Sequence, residues 1–110
     1  MTPFEFPLRT GTGLNAREHH QARARRVRAE RAAVGWKLCC IPAPPAPLIV
    51  TMTRIAPSAG LDDDNLVGSM KAIRDEIAKW LGVDDKCPSV KYVCNQRRGP
   101  WAVGIQIEPA

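Results

Sequence analysis

Between Leu66 and Leu81 the large apolar residues fall at Leu66, Met70, Ile73, Ile77 and Trp80/Leu81. Steps of three and four put them all on one face of an α-helix, and that face has to be buried. Asp64 is well placed as the N-cap of this helix and Gly82 as its stop. The cover must come from strands, because the alternating runs elsewhere have period two. Phe4, Phe6 and Leu8 alternate with Glu5 and Pro7, which predicts a short edge strand, where proline is tolerated. Leu48–Ile55 is a β-rich run with Leu48, Val50 and Met52 on one face and Ile49, Thr51, Thr53 and Ile55 on the other. Val90–Cys94 and Trp101–Ile107 also alternate, and residues 95–100 between them predict a hairpin loop.

A first helix is predicted from Asn15, whose partner three residues on is Glu18, to Gly35. Its apolar stripe is thin: Ala16, His20, Ala24, Val27 and Val34. Pro42, Pro44, Pro45 and Pro47 then form an extended connector, too short to separate domains. The order β-α-β-α-β-β predicts a single α+β domain over residues 1–110, two helices on a small mixed sheet. Of 49 apolar residues 14 are alanine, leaving 35 larger ones for one modest core, which a dimer would help to complete.

Composition removes several functions. Six Phe, Trp and Tyr residues are too few for a base-stacking platform. No apolar run approaches the roughly 20 residues of a membrane span, and Met1–Leu8 lacks a signal pattern, so the expected compartment is the cytoplasm. Cys39, Cys40, Cys87 and Cys94 match no zinc spacing and read as reduced, small apolar residues. The net charge of +5 is unevenly divided. Residues 1–60 carry nine Lys/Arg and three Asp/Glu, whereas residues 61–110 carry seven and eight. A basic half beside an acidic half suits an enzyme that grips a polyanion and holds a divalent metal.

The acids concentrate in Asp62-Asp63-Asp64-Asn65. Three adjacent carboxylates repel one another, and capping needs only Asp64. A hard cation such as Mg²⁺ would relieve the repulsion. In an extended segment Asp62 and Asp64 would point one way and Asp63 the other. Asp84-Asp85 follows the same helix, some 25 Å away by the rise per residue, and reaches the first group only if the chain folds back after Gly82. Six arginines (Arg17, Arg23, Arg25, Arg26, Arg28, Arg31) face two acids on the first helix, more than solubility requires, and arginine forks match phosphate. Arg97 and Arg98, beside Trp101 at the expected hairpin tip, are a second candidate phosphate contact. His19-His20 reads as helix filler.

The run Leu61-Asp62-Asp63-Asp64-Asn65-Leu66, an amphipathic helix and Val83-Asp84-Asp85 together resemble the RusA-type Holliday junction resolvases and their phage-encoded relatives. The flanking element order extends the resemblance over essentially the whole chain. It implies a homodimeric, Mg²⁺-dependent crossover junction endodeoxyribonuclease acting on branched DNA in recombination and repair, with Mn²⁺ as a substitute ion. It also implies that Asp62, Asp64 and Asp85 hold the metal. The family pattern has a lysine where this chain has Gly68, and Lys71, three residues on, is the candidate replacement. Two other readings stay open: a catalytically impaired DNA-binding protein of the same fold, and a non-enzymatic interaction module whose acids only cap a helix.

Overall fold

The computed structural model describes residues 3–11, 20–84 and 86–110. In chain order the elements are β1 (Phe4–Phe6), α1 (His20–Leu38), β2 (Leu48–Ala56), α2 (Asp63–Ser69), α3 (Lys71–Leu81), β3 (Val90–Arg98) and β4 (Ala102–Pro109). The strands form one mixed sheet in the order β1-β4-β2-β3, with β2 and β3 parallel and the other pairs antiparallel. The fold is therefore α+β, as its element order implies, with three helices.

Pairing register explains the core. Val50 lies between Tyr92 and Ile107, and Met52 between Cys94 and Ile105, so one face of the sheet collects the apolar side chains of three strands. Leu48, Val50, Met52, Val90, Val103, Ile105 and Ile107 are buried there with Phe6 of the edge strand. The stripe Leu66, Met70, Ile73 and Ile77 is buried in the same cluster, together with Val34 and Leu38 of α1.

Several expectations are corrected. The last two strands are not a hairpin, because β2 lies between them. The helical segment after β2 returns the chain parallel to it, and β4 pairs on β2's other side, where its apolar alternation matches Val50 and Met52. Residues 95–98 are strand, not loop, and Gly99 turns past the end of β2 by donating its N–H to the Ala56 carbonyl at 2.9 Å. Polar side chains are tolerated along this stretch because β3 is an edge.

The first helix does not stop at Gly35 but continues to Leu38. That glycine serves close approach: a Cβ on it would lie 3.1 Å from Glu76 Oε1 on α3. Of the expected stripe only Val34 is buried; His20 and Ala24 are exposed and Val27 is half-buried. Ala16 and the Asn15–Glu18 cap lie outside the described residues.

The helix expected from Asp64 to Leu81 is two helices. Met70 sits at φ −100°, ψ 0°, and the break follows a Gly68-Ser69 pair whose serine hydroxyl donates to the Leu66 carbonyl at 2.7 Å. Its N-cap is Asp62, not Asp64: Asp62 Oδ1 accepts the Asn65 N–H at 3.0 Å. The stop at Gly82 is as expected, with φ 74° and Val83 N–H donating back to the Ala78 carbonyl at 3.1 Å. No described helix is long and apolar enough to cross a membrane.

A Cβ on Gly82 would meet nothing within 4 Å, so Gly82→Ala carries only the conformational penalty of a left-handed residue, about 1 kcal/mol. Urea denaturation should show that loss as a lower midpoint at unchanged slope.

Candidate functional site

Gln96 fixes the start of the acidic run. Its side-chain amide accepts the Leu61 N–H and donates to the Leu61 carbonyl, both at 2.8 Å, so the residue before Asp62 is held as if by a further strand. The acids consequently start beside the edge strand β3 and run back over the face of the sheet. A cavity of about 490 Å³ lies there. Asp63, Asp64, Gly68, Lys71 and Arg74 line it, above Met52, Tyr92 and Cys94 from the sheet.

The backbone is helical from Asp63 onward, so the alternation expected of an extended segment does not hold. Asp63 and Asp64 both line the cavity, while Asp62, exposed, spends one oxygen on the cap. The Arg74 guanidinium lies 4.8 Å from the centre of the Tyr92 ring, forming part of the wall. Burial pushes the Cys94 thiol up, against a smaller opposite pull from Arg74, so it stays neutral at pH 7 and acts as wall rather than nucleophile.

Lys71 opens α3 and belongs to more than this cavity. It also lines a groove with Arg23, Arg26 and Glu30 of α1, and another with Asp75, Lys79, Val83 and Asp84. Its Nζ lies 3.2 Å from Asp75 Oδ2. After the left-handed turn at Gly82, Val83 and Asp84 line a groove along α3 with Lys71 and Asp75, a groove that Asp62, Asp63 and Asp64 do not line. Asp84 Oδ1 accepts the Lys86 N–H at 2.9 Å. Asp85 lies outside the described residues. Among the described residues no three Asp, Glu, His or Cys side chains are grouped to hold a metal.

The candidate DNA contacts divide. Arg23, Arg25 and Arg28 are exposed on α1, whereas Arg17 lies outside the described residues. Arg31 Nε is 2.9 Å from Glu76 Oε2, and Arg26 pairs with the buried Glu30 at 3.0 Å. Arg97 holds Glu5 through both terminal nitrogens, and Arg98 donates to the Pro57 carbonyl, so neither stands at a hairpin tip.

A polar cluster was not anticipated. Glu30, 1% exposed, accepts the Gly11 N–H at 3.1 Å, while the neighbouring Thr10 hydroxyl accepts from Arg54 Nε at 3.2 Å. Arg54 is buried, and its guanidinium and that of Arg9 lie 5.4 and 5.2 Å from the Trp101 ring centre. The signal was in the alternation: Arg54 is the next residue on the face of Leu48, Val50 and Met52.

No protein-family model matches the chain, and no curated protein is significantly similar to it.

Capping and charge separate at Asp62. Asparagine caps as well as aspartate, so Asp62→Asn should leave thermal stability within a few tenths of a kcal/mol, while Asp62→Ala should lose about 1 kcal/mol. Calorimetric melting of both variants checks this.

Proposed function

We propose that the protein is a Mg²⁺-dependent, structure-selective endonuclease of the RusA type that nicks four-way DNA junctions. The observation that carries this reading is the convergence at Lys71, where the cavity with Asp63 and Asp64 meets the groove with Arg23 and Arg26. An arginine-lined approach leading to carboxylates is the arrangement a phosphodiester substrate and a divalent ion together require.

The donor set fits such an ion. Carboxylates are hard oxygen ligands, and exposed ones at the mouth of a cavity leave positions for water and phosphate. On this reading Asp62, Asp64 and Asp85 hold Mg²⁺, or Mn²⁺ in its place. When bound, the ion supplies an activated water and offsets charge developing on the phosphate. The side chains do the rest. Arg23, Arg25 and Arg28 grip backbone phosphates along α1 and orient the strand. Lys71 offers its ammonium to the scissile phosphate, releasing an exposed Asp75 pair worth only about 0.3–0.5 kcal/mol. The apolar floor of Met52 and Tyr92 limits water below the reacting group. A junction presents two equivalent strands, so the working unit is a homodimer with one site on each. A DNA substrate places it in the cytoplasm.

Incubating the protein with a synthetic four-way junction and Mg²⁺ should yield paired nicks that EDTA abolishes. Asp62→Asn, Asp64→Asn and Asp85→Asn should each lower the rate about a hundredfold or more with junction binding retained. Asp63 lines the cavity beside Asp64 but lies outside this ligand set. Asp63→Asn is therefore the discriminating change and should be the mildest in the run if the set is right; Lys71→Ala should slow cleavage without altering the melting temperature. Equal damage from Asp63→Asn and Asp64→Asn would reassign the metal ligands, and no nicking by the wild type would sink the reading.

Replacing Arg25 and Arg28 together by Glu should weaken binding to junctions of different sequence to the same extent, because phosphate contacts carry no sequence information. Gel-shift titration at two salt concentrations measures this; unchanged affinity removes α1 from the interface.

A further inference from the structure

Arg54 breaks the rule that buried charges are paired. It is 2% exposed and sits on the core face of the central strand. Its contacts are the Thr10 hydroxyl on Nε and the Trp101 ring. No carboxylate among the described residues forms an ion pair with it. Burial pushes its pKa down. Arginine nevertheless remains a cation at neutral pH.

A second cation over the same ring adds to the cost for an isolated fold. Arg9, exposed at the rim, lies over the same Trp101 ring, so the two guanidinium groups are separated by no more than their summed distances to it. Thr10 accepts from Arg54 and keeps its own hydroxyl proton to donate. Two guanidinium groups over one indole, with a hydroxyl bonded to one of them, therefore present donors and positive charge, and no carboxylate among the described residues pairs with Arg54. Arg54 is also the register partner of Gln96, the residue that clamps Leu61 ahead of the acids. The unpaired cation thus stands at the same end of the sheet as the acidic cavity.

The geometry points to Arg54 and Arg9, both over Trp101, with Thr10 bonded to Arg54, as a seat for one phosphate of a nucleic-acid backbone. This rests on the nucleic-acid reading of the acidic cavity but not on its catalysis. The seat adds a fixed phosphate contact from the sheet to those of the α1 arginines. Its cost to the free protein is an uncompensated buried charge, which the bound phosphate offsets.

The test is junction binding by fluorescence anisotropy over a salt series, with melting temperature of the free protein measured alongside. Arg54→Met should bind about tenfold more weakly, and the slope of log affinity against log salt should fall by about one. Its melting temperature without DNA should be equal to or above that of the wild type, because the change removes an unpaired buried charge. Arg54→Lys should keep most of the slope, having kept the charge. A folded Arg54→Met with wild-type affinity and slope overturns the proposal, as does a lower melting temperature with unchanged binding, which marks a purely structural arginine. Should Arg54→Met fail to fold, the exposed Arg9→Gln carries the same test: a slope reduced by about one supports the seat and an unchanged slope overturns it. Inorganic phosphate is the control ligand. If it raises the wild-type melting temperature while Arg54→Met retains full DNA affinity, the seat takes free anions and the backbone assignment is overturned. Loss of nicking with the slope difference intact sinks only the nuclease reading; nicking with equal slopes sinks only the phosphate seat.

Discussion

The pairing of β2 on both sides is the constraint on which the remaining structure depends. Each of its inward residues has a partner left and right, so slipping β2 by one position would turn Leu48, Val50 and Met52 away from the helices. Because β3 lies parallel to β2, the intervening chain must cross the sheet, and that crossing is where the amphipathic stripe finds its cover. The same parallel pairing brings Gln96 level with the end of β2, where it grips Leu61. The acidic run is thereby placed by the strands, and the helices only line the space above it.

A second layer of order is polar. The segment after β1 is tied to α1 through Gly11 and Glu30, and to β2 through Thr10 and Arg54. A Cβ on Gly11 would come 2.6 Å from the Arg26 guanidinium carbon, so a side chain there would push the flexible end of Arg26 aside. Buried polar contacts of this kind define one arrangement, since leaving either partner unsatisfied costs about 1–3 kcal/mol. They hold the first strand's exit beside the arginine helix, which a thin apolar stripe could not do alone.

What the sequence made legible was whatever depended on local periodicity. The strands at Leu48 and Val90, the buried stripe from Leu66 to Ile77 and the stop at Gly82 follow from side-chain spacing and backbone preference. Partner choice was not local. Asn95–Arg98 looks like a loop because its residues are polar, yet an edge strand accepts them, and only the crossing between β2 and β3 decides which strand pairs with which. Gly35 has the residue type of a helix stop but serves the contact with Glu76. At the acids, spacing located the group correctly at a helix start but misassigned the cap by two residues, and this reversed the direction inferred for Asp63. Arg54 was visible as a charge in an apolar alternation, although its surroundings come from residues distant in sequence.

The position of the cation beside the acids follows from the same break in the helix. Gly68 contributes no side chain, and it lines the same cavity and the same arginine groove as Lys71. A lysine at 68 would project at the boundary of those two spaces; with glycine there, Lys71 is the cationic side chain that both share. The Gly68-Ser69 pair ends α2, so Lys71 begins a new helix instead of continuing the old one. Its four-carbon stem is then free at a helix start, with Asp75 one turn on as a weak, solvent-exposed partner. A phosphate arriving along the Arg23 groove offers two non-bridging oxygens in place of that single carboxylate contact. On the proposed reading, the chain has moved its cation by three residues and kept it at the meeting point of strand approach and carboxylates.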